Sequence, residues 1–221
     1  MRSKVRHFDG KQKVLIYYMQ YVLYCKQLLY LNFGFPIENH FTNLSHENMP
    51  SSINTNTFNP ESTQTRNRIS DLNSSWKMRL YFLKNLPSAF WWGVKVKSCS
   101  PYRTEVEVPY SWRTQNPFRS IYFAAQAGTA ELSTGLMANI ALHGRGKISM
   151  LITNLEIQFI KKASDTLTFT CEEGIKIIEA VQKAVETGEG VQVVINSIGT
   201  LPDGTIASKA KITWSFKVKN R

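Results

Sequence analysis

Between Phe118 and Leu142 the chain runs for twenty-five residues without a proline, with apolar side chains on nearly every side of a helical wheel. A helix with no polar face cannot lie on a surface, so something must wrap it. Its middle is built from Ala124, Ala125, Ala127, Gly128 and Ala130. Side chains this small let a surrounding layer close tightly, and the glycines of His143-Gly-Arg-Gly146 suit a helix C-terminus. The rest of the fold has to supply the wrapping layer.

Period-two alternation supplies it. Val94 and Val96 alternate with Lys95 and Lys97, while Thr104, Val106 and Val108 alternate with Arg103, Glu105 and Glu107. With Ser-Cys-Ser-Pro between them, the two runs read as a hairpin with one buried face and Lys–Glu pairs on the other. Ser149 to Lys161, Leu167 to Cys171, Val191 to Ile198 and Ile206 to Val218 read as four more strands, the last two joined through Pro202-Asp203-Gly204. Ile175 to Glu186 is an amphipathic helix carrying Ile178, Val181 and Val185 on one side, and Trp76 to Leu86 is a short helix stopped by Pro87. The order is strand, strand, long buried helix, then four strands with a helix inserted. Antiparallel strands around one central helix make an α+β domain over residues 76–221.

The first seventy-five residues are of another kind. Val14 to Cys25 is an apolar, aromatic run of twelve residues, short of the roughly twenty a membrane helix needs, and Lys26 and Gln27 break it. No transmembrane segment is expected, although a helix lying in a membrane interface stays open for this stretch. Nine asparagines fall between Asn32 and Asn73 with many Ser and Thr and no apolar period, so residues 1–75 are expected to form a poorly ordered extension. Asn, Lys, Tyr, Ile and Phe are also what AT-rich noncoding DNA encodes, so residues 1–75 also read as a mis-assigned start, with Met49 and Met78 as alternative initiators.

Composition excludes little. Hydrophobic residues make up 43% and charged residues 19% of the 221, a globular balance. The formal charge of +11 invites a nucleic-acid partner, but the basic residues are scattered and alternate with apolar ones along strands, which disfavours that reading. Cys25, Cys99 and Cys171 form no Cys-x-x-Cys pair. They suggest neither disulfides nor a metal site, and fit reduced thiols in a cytoplasm.

The hairpin, the loop Asn-Pro-Phe-Arg-Ser (Asn116 to Ser120) and the small-residue helix carrying Ala-Glu-Leu-Ser-Thr-Gly (Ala130 to Gly135) resemble the hot-dog superfamily, and within it a thioesterase-like family of unknown function. The resemblance spans roughly Leu80 to Lys219. It implies an antiparallel sheet wrapped around the central helix, homodimers, no cofactor, and hydrolysis of an acyl thioester of coenzyme A or a carrier. By position it makes Glu131 the catalytic acid, with Asn116, Arg119 and Ser120 contacting substrate near the helix start. Family members commonly have glycine where Arg119 stands. Lys161, with Lys162, is a further candidate, for coenzyme A phosphates.

Elementary physics supports parts of this. A carboxylate in a buried helix is unfavourable unless paired or used, and no basic residue lies within a turn of Glu131. Ser120 and Glu131, eleven residues apart on one helix, would share a face but stand about 16 Å apart. The alternatives are a structural ion pair for Glu131 and a capping or turn role for Asn116; Phe90-Trp91-Trp92 reads as core or dimer packing, with a lipid-tail pocket as the other reading. At the level of function the alternative is a non-catalytic module that binds acyl groups or acyl-coenzyme A.

Overall fold

The computed structural model describes residues 57–219. Three helices come first: α1 (Thr63–Asn73), α2 (Ser75–Asn85) and α3 (Pro87–Trp92). They are followed by β1 (Lys95–Cys99), β2 (Thr104–Val108), α4 (Phe123–Leu142), β3 (Ile148–Phe159), β4 (Leu167–Cys171), α5 (Gly174–Thr187), β5 (Val191–Thr200) and β6 (Ile206–Val218). The six strands form one sheet in the order β1-β2-β4-β5-β6-β3, antiparallel throughout.

Alternation settles which face of each strand is buried. In β2 and β4 every second residue, including Val106, Val108, Leu167 and Phe169, is fully buried. In β6, Ala210, Ile212, Trp214, Phe216 and Val218 face inward while Lys209, Lys211 and Lys217 face outward. Ile206, which strict alternation would place on the inner face with Ala210, Ile212, Trp214 and Phe216, is exposed. On the outer face of the hairpin Lys97 pairs across the strands with Glu107 at 3.0 Å, the expected cross-strand pairing, and Arg103 pairs with Glu105 at 2.7 Å along its own side of the hairpin.

The buried residues of α4 include Ala125, Ala130, Leu132, Leu136, Met137, Ala138, Ile140 and Ala141, and the sheet curls around them. Small side chains permit the approach. A Cβ on Gly128 would come within 3.1 Å of the Trp92 ring. Two buried polar contacts pin the helix to the sheet: the Ser133 and Ser197 hydroxyls meet at 2.7 Å, and Trp214 Nε1 donates to Thr134 Oγ1 at 2.9 Å. The α5 helix lays Ile177, Val181, Ala184 and Val185 on the core. At its start Gly174 sits so close to the 101–102 turn that a Cβ would fall 2.0 Å from the Pro101 carbonyl oxygen.

Two readings of the chain need revision. The central helix starts at Phe123, not Phe118. Asn116 closes a turn through Arg119, whose φ of 59° is left-handed, and Gln115 then bridges Ile121, so the chain cannot enter a helix before residue 122. Residues 1–56 lie outside the described residues, but within the stretch expected to be poorly ordered Thr63–Asn73 is a helix, N-capped by the Ser62 hydroxyl on the Thr65 amide. Few aliphatic residues announce α1, because tertiary bonds hold it. The Asn73 carboxamide donates to the Cys99 carbonyl at 2.7 Å and accepts from its amide at 2.9 Å, pairing with β1 as a strand residue would. Met78, one of the alternative starts, lies buried inside α2, and a chain beginning there would lack α1.

Candidate functional site

The face of α4 that the sheet leaves uncovered carries Glu131, Gly135 and Asn139 at i, i+4 and i+8, one stripe of a helix. The α1 and α2 helices cover that stripe without sealing it. Arg68 Nε donates to Asn139 Oδ1 at 2.7 Å and ties α1 to α4. Lys77 and Asp71 pair at 2.5 Å along the rim. Between the layers lies a cleft of about 420 Å³, lined by Leu72, Met78, Tyr81, Leu136 and Met150 among others, with Glu131 in its wall.

Glu131 is half-buried, and its carboxylate has no hydrogen-bond or ion-pair partner among the described residues. Loss of water without any compensating charge pushes its carboxyl up to about 7. The structural ion pair weighed for this residue is therefore not formed among the described residues. The carboxylate lies over Gly135: a Cβ there would be 3.2 Å from Glu131 Oε1, 3.4 Å from Trp214 and 3.5 Å from Met150. Glycine at i+4 leaves the space the acid occupies.

The other sequence candidates form a separate cluster. Asn116 Oδ1 accepts from the Phe118 amide at 3.0 Å, the Ser120 amide at 3.2 Å and the Ser120 hydroxyl at 3.2 Å. Its oxygen holds the loop, the turn role weighed for it. Arg119 is exposed at the loop tip. Ser120 lies outside the helix, so it shares no helical face with Glu131. Lys161 is exposed on a segment joined to this loop, because the Ile121 amide donates to the Ala163 carbonyl at 2.8 Å. The first turn of α4 begins beside these residues, and its N-cap, Tyr122, makes no side-chain capping bond. Amides at a helix start favour negative charge. They lie about 12 Å along the helix from Glu131, too far for both to reach one carbonyl within a protomer.

The α1–α2 wall, with Arg68, Tyr81 and Asn85, is the part of the site that sequence reasoning missed. One signal was available: within an apolar helix, Glu131, Gly135 and Asn139 break the pattern at four-residue intervals.

Other parts of the molecule offer less chemistry. Cys99 and Cys171 are free and buried, which raises their thiols to about 11 and about 12 and leaves them inert. No group of His, Cys, Asp and Glu among the described residues could hold a metal ion. No described helix is long and apolar enough to cross a membrane.

Comparison with solved structures gives the same fold at low identity. A Pseudomonas aeruginosa protein of unknown function, described as a probable thioesterase, superposes with a TM-score of 0.56 at 12% identity, over 66% of this chain and 97% of that one. A Chlorobaculum tepidum protein of unknown function gives 0.54 at 11%, over 65% and 94%. A thioesterase from Haemophilus influenzae gives 0.52 at 11%, over 67% and 94%. No curated protein matches the sequence. These likenesses show the fold: a hot-dog domain, with its antiparallel sheet wrapped around α4. A family model matches residues 81–216, more than half of the chain, and the protein belongs to that family, the domain of unknown function DUF4442.

Proposed function

We propose that this domain hydrolyses acyl thioesters, with Glu131 as the base. The observation that carries the reading is the unpartnered carboxyl of Glu131 in the wall of the α4 cleft, pushed up to about 7 by burial. A general base works best when its pKa lies near the working pH. The fold shared with thioesterases supports the same chemistry.

In the proposed reaction the Glu131 carboxylate takes a proton from water, and the hydroxide oxygen bonds to the thioester carbonyl carbon. The oxyanion is held by amides at the first turn of α4. As the intermediate collapses the C–S bond breaks, the proton on Glu131 passes to the thiolate, and a carboxylic acid and a thiol leave. The lining of Leu72, Met78, Leu136 and Met150 suits an acyl chain. The exposed Arg119, on the loop that Asn116 and Ser120 shape, and Lys161, on the adjoining segment, are the proposed contacts of a coenzyme A or carrier-protein phosphate.

Because Glu131 and the helix start of one protomer are too far apart, the reading requires a homodimer in which Glu131 meets the partner's helix start. The sheet has an edge for it. The β1 edge is engaged by Asn73, whereas β3, twelve residues long, is a terminal strand with Leu151 and Phe159 exposed. The test is thiol release from a panel of acyl-coenzyme A esters, wild type beside Glu131→Gln. Turnover that collapses in a folded variant supports the reading. A ligand-induced rise in melting temperature without turnover by either protein would leave the alternative, a non-catalytic acyl-binding module.

A further inference from the structure

The α2 helix is apolar on two opposite faces. Met78 and Phe82 point into the core. Trp76, Leu80 and Leu83, at i, i+4 and i+7, form a stripe on the other side and are 64%, 55% and 52% exposed. Three neighbouring large apolar residues on one exposed stripe are a patch rather than scatter, and such patches mark binding surfaces. Cations flank the stripe on both sides. On a helical wheel Lys77 and Lys84 lie on one flank and Arg79 on the other, and the helix contains no acidic residue. Lys84 has no ion pair among the described residues, while Arg79 lies with its guanidinium over the Phe90 ring, 5.1 Å from its centroid. Close by in sequence, Trp91 stacks edge to face with Trp112 at 5.7 Å, and both are exposed.

We propose that α2 seats this domain on an anionic lipid bilayer, with Trp76, Leu80 and Leu83 among the acyl chains and Lys84 and Arg79 at the lipid phosphates. Charge decides among possible occupants. A second copy meeting this face about a two-fold axis would set its cations against their own images. The cores of protein interfaces are depleted in lysine, whereas a membrane places a plane of negative charge on every side of an inserted apolar stripe. The net charge of +11 has the matching sign, and tryptophan favours the bilayer interface. The same helix contributes Lys77, Met78, Tyr81 and Asn85 to the Glu131 cleft, so docking would bring the cleft to a lipid surface. The inference does not depend on hydrolysis, because its readout is binding.

The test is co-sedimentation of the full chain with vesicles of phosphatidylcholine alone, or of equal parts phosphatidylcholine and phosphatidylglycerol. Wild type is expected to pellet with the anionic vesicles, less so at high salt. Leu80→Ser/Leu83→Ser should weaken binding about tenfold or more, because it removes most of the inserted apolar area. Lys84→Glu, an exposed change that spares the fold, should weaken it too. Absence of binding by wild type overturns the proposal. So does undiminished binding by the variants, which would move the anchor to another segment, and so does a wild-type dimer that the double variant dissociates.

Discussion

Burial without a partner is what sets Glu131 apart from the other carboxylates described. Glu105 and Glu173 are also partly buried, yet bonds from Arg103 and Ser98, and from Lys176 and Asn196, leave both below the ordinary carboxylate value despite desolvation. Glu131 has only the desolvation. The consequence for stability has a definite sign. Its folded value, about 7, lies above the ordinary 4.5, so below pH 4.5 both states are protonated and no penalty exists. As pH rises from 4.5 to 7 the unfolded chain ionises first, and stability falls by about 3 kcal/mol in all. Glu131→Gln should therefore match wild type in urea melts near pH 4 and exceed it at pH 8, while losing thiol release. Equal stabilities at both pH values would mean that the carboxyl is not desolvated. For wild type, kcat/KM should climb through pH 7 to a plateau.

Gly135 allows a second test at the same scale. Alanine there gains about 1 kcal/mol of helix propensity, and its Cβ would meet Trp214 and Met150 at ordinary contact distances. Only the Glu131 carboxylate, at 3.2 Å, is crowded, and it can swing away. Gly135→Ala should thus keep or raise the melting temperature and cut turnover about tenfold or more, since small misplacements of a catalytic group have large effects. Unchanged turnover would show that the carboxylate does not act from this position.

Among the elements, α1 depends most on its neighbours. It buries only Thr65 and Leu72, too little to hold a helix of this length on the core by apolar contact alone. Its anchors are the paired Asn73–Cys99 bonds and the Arg68–Asn139 bond. Asn73→Ala should cost about 1–3 kcal/mol in chemical denaturation, because it leaves two backbone groups of β1 without partners. It should also lower turnover by loosening the cleft wall. A loss of stability with turnover intact would make α1 a clasp for the sheet edge and nothing more.

At the scale of the whole molecule, the proposed reaction needs the middle of α4, where Glu131 stands, brought together with a helix start. Sedimentation equilibrium is expected to return a dimer. Leu151→Lys/Leu155→Lys, which sets like charges along the terminal strand, should give a folded monomer without turnover. A fully active monomer would refute the shared site and require an oxyanion donor near Glu131 within one chain.

The sequence by itself determined the strands and the central helix. Period-two burial and an apolar helix of small residues are local patterns; β4 was readable to the residue, and so were the bounds of β6, though not the face of Ile206. It also singled out Glu131, because an acid in such a helix is conspicuous wherever the helix packs. The tertiary structure alone decided the rest. The turn at Arg119 delayed α4 by five residues, since it depends on bonds from Asn116 that no period announces. The α1 helix carries no strong apolar pattern, and contacts far along the chain hold it. What Glu131 faces, a cleft rather than a cation, depends on how α1 and α2 lie across α4, because a pattern records that a side chain is buried but not what it is buried against.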